Sequence, residues 1–373
     1  VAGNPTSVSR VALVDATPPV VTINPVATDN VINTPEHTQA QIISGTVTGA
    51  QAGDIVTVTL NNSDYTTVVD GSGNWSLGVP ASVVSGLVDG SYPVSVSVTD
   101  KAGNTGSQSL TVTVDTAAPM IGINTIAGDD VINASENGAD VQLTGTSDQP
   151  VNTAITVTLN GQNYTTTTDA SGNWSVTVPA LAVTALGQAN YTVTAAVTNS
   201  IGNSNTASHN VLVDSALPGV TINLVATDDI INAAEAGSAL TLSGTGTNFA
   251  AGTVVTVLLN GKGYSATIQN NGSWSVNVPA ADVAALADGT SYTVSASAQD
   301  SAGNSATASR SVAVDLTAPV ISINTVSTDD RLNAAEQQQP LTLNGSTSAE
   351  VGQTVTVTFG GKTYTATVAA NGT

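Results

Sequence analysis

Chemistry in this sequence is concentrated in an acidic run that recurs four times. It reads DNVINTPE from Asp29 to Glu36, DDVINASE from Asp129 to Glu136, DDIINAAE from Asp228 to Glu235 and DDRLNAAE from Asp329 to Glu336. A lone Asp stands ahead of each run, at Asp15, Asp115, Asp214 and Asp315, and each is followed four residues on by a proline. A third acid sits in the turns D-K-A-G-N and D-S-A-G-N, at Asp100 and Asp300. Carboxylate and amide oxygens at this density are hard ligands. Two carboxylates held ~4 Å apart at an effective dielectric near 20 repel by roughly 4 kcal/mol. The chain has 27 acids and only 6 bases, a net charge of −21, so its own cations cannot neutralise the clusters. Calcium can, because it accepts six to eight oxygens in loose geometry, whereas magnesium demands a tighter octahedron with more water. The expected ligands are Asp15, Asp29, Asn33, Glu36, Asp100, Asp115, Asp129, Asp130, Asn133, Glu136, Asp214, Asp228, Asp229, Asn232, Glu235, Asp300, Asp315, Asp329, Asp330, Asn333 and Glu336. The pattern is neither an EF-hand nor a glycine-rich nonapeptide calcium repeat.

What positions these groups is a repeat. The lone Asp returns about every 100 residues, and so do Trp75, Trp174 and Trp274, which is a normal single-domain size. The boundaries fall at 1–15 (the last strand of a preceding repeat), 16–115, 116–214, 215–315 and 316–373 (the first half of a further repeat). The chain therefore reads as a piece of a longer one. Within a repeat, runs such as DIVTVTL and YPVSVSVT alternate apolar and hydroxyl residues with the period of a half-buried strand. Asn-Asn, Asp-Gly and Gly-Asn turns separate them. Seven strands are expected, near 20–25, 41–47, 55–60, 64–69, 74–79, 92–99 and 107–114. The class is all-β: tandem seven-stranded Ig-like sandwiches forming an extended rod. A helical turn is expected after Pro80, Pro179 and Pro279, where Val84/Leu87, Val183/Leu186 and Val283/Leu286 are spaced three apart.

If strands alternate, the loop after the first strand (the opening loop) lies at the far end of its sandwich. The loop between the last two strands (the closing loop) lies at the near end. The opening loop of one repeat then faces the closing loop of the next, with the lone Asp between them. Each joint so becomes a calcium-fixed seam, stiffened by the linker proline. Asn30 and Asn199 replace acids at the seam between repeats one and two, so that seam should bind calcium more weakly than the next.

Other chemistry is poorly supported. The acidic balance argues against nucleic acid or anionic lipid as partners. There is no cysteine, which excludes thiol catalysis, zinc-thiolate sites and disulfides. No apolar run is long enough for a membrane-spanning helix. His37 and His209 occupy non-equivalent positions and read as incidental surface residues, and no nucleophile motif occurs, so no enzyme is expected. Trp75, Trp174 and Trp274 read as core anchors, with a sugar-stacking platform as the alternative. Tyr65, Tyr164, Tyr264 and Tyr364 read the same way.

The combination VD-x-x-x-P, D-D-x-I-N-x-x-E, V-T-V-T-L-N-G, G-N-W-S-V-x-V-P-A and T-D-x-A-G-N resembles the bacterial Ig-like repeats of giant type I-secreted adhesins of Gram-negative bacteria, nearest to the SiiE type, with ice-adhesin extender repeats related in plan. The resemblance covers essentially the whole chain. It implies a secreted, surface-attached, monomeric rod whose repeats contact their neighbours and are rigidified by calcium at their boundaries. It implies a role in adhesion to host cells, either as a spacer or, alternatively, as a lectin-like module that binds host glycans itself.

Overall fold

The computed structural model describes residue 3 and residues 6–373. It divides into two compact units, 1–215 and 216–373. In the first unit, repeat one is built from β1 (Val20–Val21), β2 (Val31–Ile32), α1 (Thr34–His37), β3 (Gln41–Thr48), β4 (Ile55–Leu60), β5 (Ser63–Val68), β6 (Asn74–Val79), α2 (Ala81–Val84), β7 (Gly90–Thr99) and β8 (Thr105–Val114). Two sheets face each other, ordered β1-β3-β6 and β2-β8-β7-β4-β5. All contacts are antiparallel except β2, which runs parallel to β8 with Val31 opposite Thr113 and Ile32 opposite Val114.

Alternation decides which side chains go inside. Val56, Val58, Val94, Val96 and Val98 are fully buried, while the intervening Thr and Ser residues are half-buried or exposed. From the other sheet Ile43, Val47, Trp75 and Val79 close the core. Repeat two carries a separate core of the same composition around Leu143, Ile155 and Trp174. The helical turns form where expected, at Ala81–Val84, Ala180–Thr184 and Ala280–Val283, and bury Val84, Val183 and Val283 with Leu87, Leu186 and Leu286.

In the second unit, repeat three has the same eight strands and its own core around Leu242, Val257 and Trp274. Residues 316–373 form a pair, Ile321–Ile323 with Gly345–Thr347, and a hairpin, Thr354–Phe359 with Lys362–Thr367. Their inward-type residues Ile321 and Ile323 are exposed. Of the strand expected at 1–15, residues 1, 2, 4 and 5 lie outside the described residues, and residues 6–15 run exposed without pairing to another strand. Among the described residues no helix is long and apolar enough to cross a membrane.

The structure differs from expectation in strand number. Each complete repeat has an eighth strand, cut from the opening loop. The acidic run is not one open loop, because its Val-Ile or Ile-Ile core pairs with the last strand and buries Ile32, Ile132 and Ile231.

Each tryptophan sits opposite a glycine: Gly45 and Trp75, Gly145 and Trp174, Gly244 and Trp274. The indoles are 1–2% exposed. The sugar-stacking alternative for Trp75, Trp174 and Trp274 is therefore overturned: no ring face reaches the surface. A β-carbon at Gly244 would lie 1.8 Å from the Thr221 carbonyl oxygen and 2.6 Å from the Trp274 ring, which explains the glycine.

Candidate functional site

The acidic run separates into three devices. The first acid closes a tight turn into the short strand. Oδ1 of Asp29, Asp129, Asp228 and Asp329 accepts the N–H two residues on, at 3.0–3.1 Å. The second position closes the turn before it. Oδ1 of Asn30, Asp130, Asp229 and Asp330 accepts the N–H four residues earlier, at 2.8–2.9 Å. These four residues have φ between 62° and 68°, a left-handed conformation that Asn and Asp tolerate best after glycine. The third device is a reciprocal cap. Asn33 Oδ1 accepts the Glu36 N–H and Glu36 Oε2 accepts the Asn33 N–H, both at 3.1 Å. The same exchange links Asn133 with Glu136, Asn232 with Glu235 and Asn333 with Glu336.

The second position carries a further pairing. Asp130 Oδ1 is 2.7 Å from His209 Nε2, and Arg310 grips Asp229 with Nε and Nη2, each at 2.6 Å. His209 is thus a partner in repeat two rather than an incidental surface residue, and His37 Nε2 lies 2.8 Å from the Leu87 carbonyl oxygen. The Ile126 N–H and then His209 hold Asp130 below the ordinary carboxylate range. Arg310 and then the Val225 N–H do the same for Asp229. Asp130 and Asp229 are drawn to the last strand of their own repeat, and Asn30 performs the same turn closure without charge.

The linker acids use one oxygen locally. Oδ1 of Asp15, Asp115 and Asp315 accepts the N–H two residues on, at 3.1 Å. Asp214 ends a strand beside Asn133, as Asp315 does beside Asn232. In the closing loops, Asp100 Oδ1 accepts from the Ala102 and Asn104 N–H groups and Oδ2 from Asn104 Nδ2. Burial pushes Asp100 up, but these bonds outweigh it and hold the carboxyl below its usual range. Asp300 makes the same bonds.

At the joint inside the first unit, the opening loop of repeat one, the linker and the closing loop of repeat two do converge. Asn33 Nδ2 donates to the Ile201 carbonyl at 2.7 Å, and the Thr34 N–H donates to Asn203 Oδ1 at 2.7 Å. Asn203 Nδ2 donates to the carbonyls of Asp115 at 2.8 Å and Ala117 at 3.1 Å. Asn203 is fully buried. Two groups central to the linkers escaped the sequence reading. One is this asparagine, whose signal was its recurrence as Asn104, Asn203 and Asn304. The other is the linker role of the acid in the Asp-Gly turn before β7, a turn the sequence itself marks. Asp89 accepts the Thr116 hydroxyl and N–H, which hold it low, and Asp288 accepts the Leu316 N–H and the Thr317 hydroxyl.

The donor set suits a hard cation in kind. Asp15, Asp29, Asp115, Asp129, Asp228, Asp315 and Asp329 each bind their own loop through one oxygen, leaving the second for water or a cation. The set is not a preassembled cage: among the described residues no three acidic or imidazole side chains converge as metal ligands would.

Fold and joint define a tandem of Ig-like β-sandwich modules. The chain belongs to the bacterial Ig-like domain family. The family model matches residues 24–116 and 224–316, and the group 3 model of bacterial Ig-like domains matches 73–212. A solved structure described as a Ca2+-stabilized adhesin that helps an Antarctic bacterium bind ice is 36% identical over 96% of this chain and 90% of that one, with a TM-score of 0.44. A 1.5-MDa bacterial ice-binding adhesin structure is 33% identical over 81% of this chain and 100% of that one, TM-score 0.42. A tetra-tandem repeat from the extending region of a large adhesion protein is 27% identical over 95% and 89%, TM-score 0.31. No curated protein matches this chain.

Proposed function

We propose that this chain is a calcium-rigidified repeat segment of a giant bacterial surface adhesin, a stiff extender that serves adhesion to host cells. The observation that carries the reading is the short parallel strand. It sets the capped Asn-Glu pair beside the linker Asp at the end of repeats two and three, Asn133 by Asp214 and Asn232 by Asp315. On a chain of charge −21, Asp115, Asp129, Asp228 and Asp315 in these linkers and runs each bind their own loop through one carboxylate oxygen. The linker Asp, the first acid of the run, the Asn-Glu pair and the closing-loop Asp would share the ion, which supplies charge neutralisation and a rigid link between neighbouring repeats. Asp130 and Asp229 act one step back, by fixing the turn. The calcium named for the ice-binding adhesin supports the same reading.

Low calcium inside a cell would leave the joints loose for export, and type I secretion of a Cys-free chain meets no disulfide barrier. Outside, calcium at a hundredfold excess over Kd would stabilise each site by about 2.7 kcal/mol. The segment works as a monomer at the bacterial surface, in contact with its own neighbouring repeats. Residues 1–15 and 316–373 carry motifs of the same repeat, and the linker and acidic-run motifs resemble those of SiiE-type repeats among type I-secreted adhesins. Small-angle scattering with calcium and with EDTA tests the reading: the maximum dimension should stay defined in calcium and the profile should become that of a flexible chain in EDTA. An equally extended profile in both would sink it.

A further inference from the structure

We infer that the joint between repeats one and two is a metal-independent lock, closed by asparagine amides in place of an ion. The contrast with the acidic joints rests on the calcium reading, but the closure itself rests only on hydrogen bonds.

The argument starts from the difference between the closing loops of repeats one and two. In repeat one, one hydrogen bond of the Asn104 amide goes to Asp100 Oδ2 at 3.1 Å, and another goes to the Asp15 carbonyl at 3.1 Å. In repeat two the acid is Asn199. Its Oδ1 still accepts the Ile201 and Asn203 N–H groups, at 3.2 and 2.9 Å, so the turn keeps its shape. An amide has only one oxygen, however, and no second acceptor is left for the Asn203 side chain. Both of its N–H groups turn to the linker, one to the Asp115 carbonyl and one to that of Ala117. The loss of one negative charge therefore adds a hydrogen bond to the joint.

The remaining groups close the seam from the other side. Asn203 Oδ1 accepts the Thr34 N–H, Asn33 Nδ2 donates to the Ile201 carbonyl, and the Thr34 hydroxyl donates to the Thr116 carbonyl at 3.1 Å. Beyond the linker, Asn205 Nδ2 donates to the Pro119 carbonyl at 2.8 Å. The carbonyl oxygens of Asp115, Ala117 and Ile201 at this seam thus already accept amide protons. Asn203 uses both amide hydrogens and its carbonyl oxygen in hydrogen bonds while fully buried, a state costly to undo. Gly202 permits the approach: its φ is 93°, and a β-carbon there would lie 2.8 Å from Asn33 Nδ2. Repeats one and two accordingly stay docked whether or not calcium is present, a fixed joint in a chain whose other joints keep their acids.

Pulsed electron–electron distance measurements on the full chain test this. Because the chain has no cysteine, labels placed by Thr66→Cys with Thr165→Cys report the first joint, and Thr165→Cys with Ser265→Cys report the second. All three positions are exposed. On moving from calcium to EDTA, the first distance distribution should keep its width while the second broadens. Broadening of the first by as much as the second overturns the lock. If neither broadens, the calcium reading fails and the lock stands. Asn203→Ser should broaden the first distribution in both media. Asn33→Asp, which keeps the cap on Glu36 but removes the donor to Ile201, should do so with the repeat fold intact. Unchanged widths in both variants overturn the inference.

Discussion

Arg310 closes on Asp229 through two parallel hydrogen bonds of 2.6 Å, from the last strand of repeat three to the turn that launches its short parallel strand. The equivalent pair is His209 and Asp130 in repeat two, and Leu110 and Asn30 in repeat one. The residue is an acid where His209 or Arg310 lies within hydrogen-bond distance of it, and an asparagine where the equivalent position is Leu110. The pair is a unit, and its acid serves the repeat before it serves the joint.

That coupling predicts a swap. Asp229→Asn alone or Arg310→Leu alone should each loosen repeat three, because each strands the other partner. The double variant recreates the combination of repeat one and should recover most of the loss. Hydrogen-exchange mass spectrometry of the peptide spanning 305–314 reads it directly. Additive loosening in the double variant would show that the two residues act independently.

Asp282 accepts from Lys262 and from the Tyr264 hydroxyl, the latter at 2.9 Å. Lys262 and then Tyr264 hold Asp282 below the ordinary carboxylate range, against its burial. Burial, then the bond and charge of Asp282, push Tyr264 up to about 12. The depressed acid contributes stability that is present above the ordinary Asp value, near 4, and is lost as pH falls below it. The raised phenol contributes stability that is intact below about pH 10 and is lost as pH climbs through its folded value. Titration of tyrosine absorbance should show a phenol ionising near 12, and Asp282→Asn should lower that value. An unchanged curve would detach Tyr264 from Asp282.

Strand period, repeat length and turns were legible because alternation of Val with Thr has one structural meaning over six residues. The helical turns after each proline were legible from a different spacing, an apolar pair three residues apart such as Val84 and Leu87. The acidic run was not, because its residue types are ambiguous. An Asn three residues before a Glu is at once a calcium-ligand spacing and a cap, and only the fold reveals that each side chain accepts the other residue's backbone N–H. The short strand Val31–Ile32 was hidden inside it: two apolar residues carry no period, and its parallel partner Thr113–Val114 lies far along the chain. Asn203 was visible as a recurrent residue, but its role depends on which loop faces it across the joint.

The glycine opposite each tryptophan gives a sharp stability test. Gly244→Ala places a methyl 1.8 Å from a backbone carbonyl, which cannot rotate away. The expected loss is about 3 kcal/mol or more, confined to repeat three. Trimming the ring with Trp274→Phe should not rescue it, because the Thr221 carbonyl remains. Urea unfolding of the full chain, followed by circular dichroism, should show one repeat melting early. A loss below about 1 kcal/mol would mean the strand shifts at little cost.

The turn before each acidic run stores strain that one repeat has already shed. Thr28, Thr227 and Thr328 have φ of 74°, 78° and 71°, where a β-branched residue is unfavourable, while repeat two has Gly128 at φ 96°. A β-carbon at Gly128 would meet nothing within 4 Å, so the difference is one of backbone alone. Holding a non-glycine residue in this region costs about 1–3 kcal/mol, and glycine returns about 0.5–1 kcal/mol of that through the freedom of its unfolded chain. Thr227→Gly should therefore stabilise repeat three by about 1 kcal/mol, and Gly128→Thr should destabilise repeat two by a similar or larger amount. Calorimetry of the two variants should move different repeats in opposite directions. If Thr227→Gly lowers stability instead, the threonine side chain supports the turn and the strain argument fails.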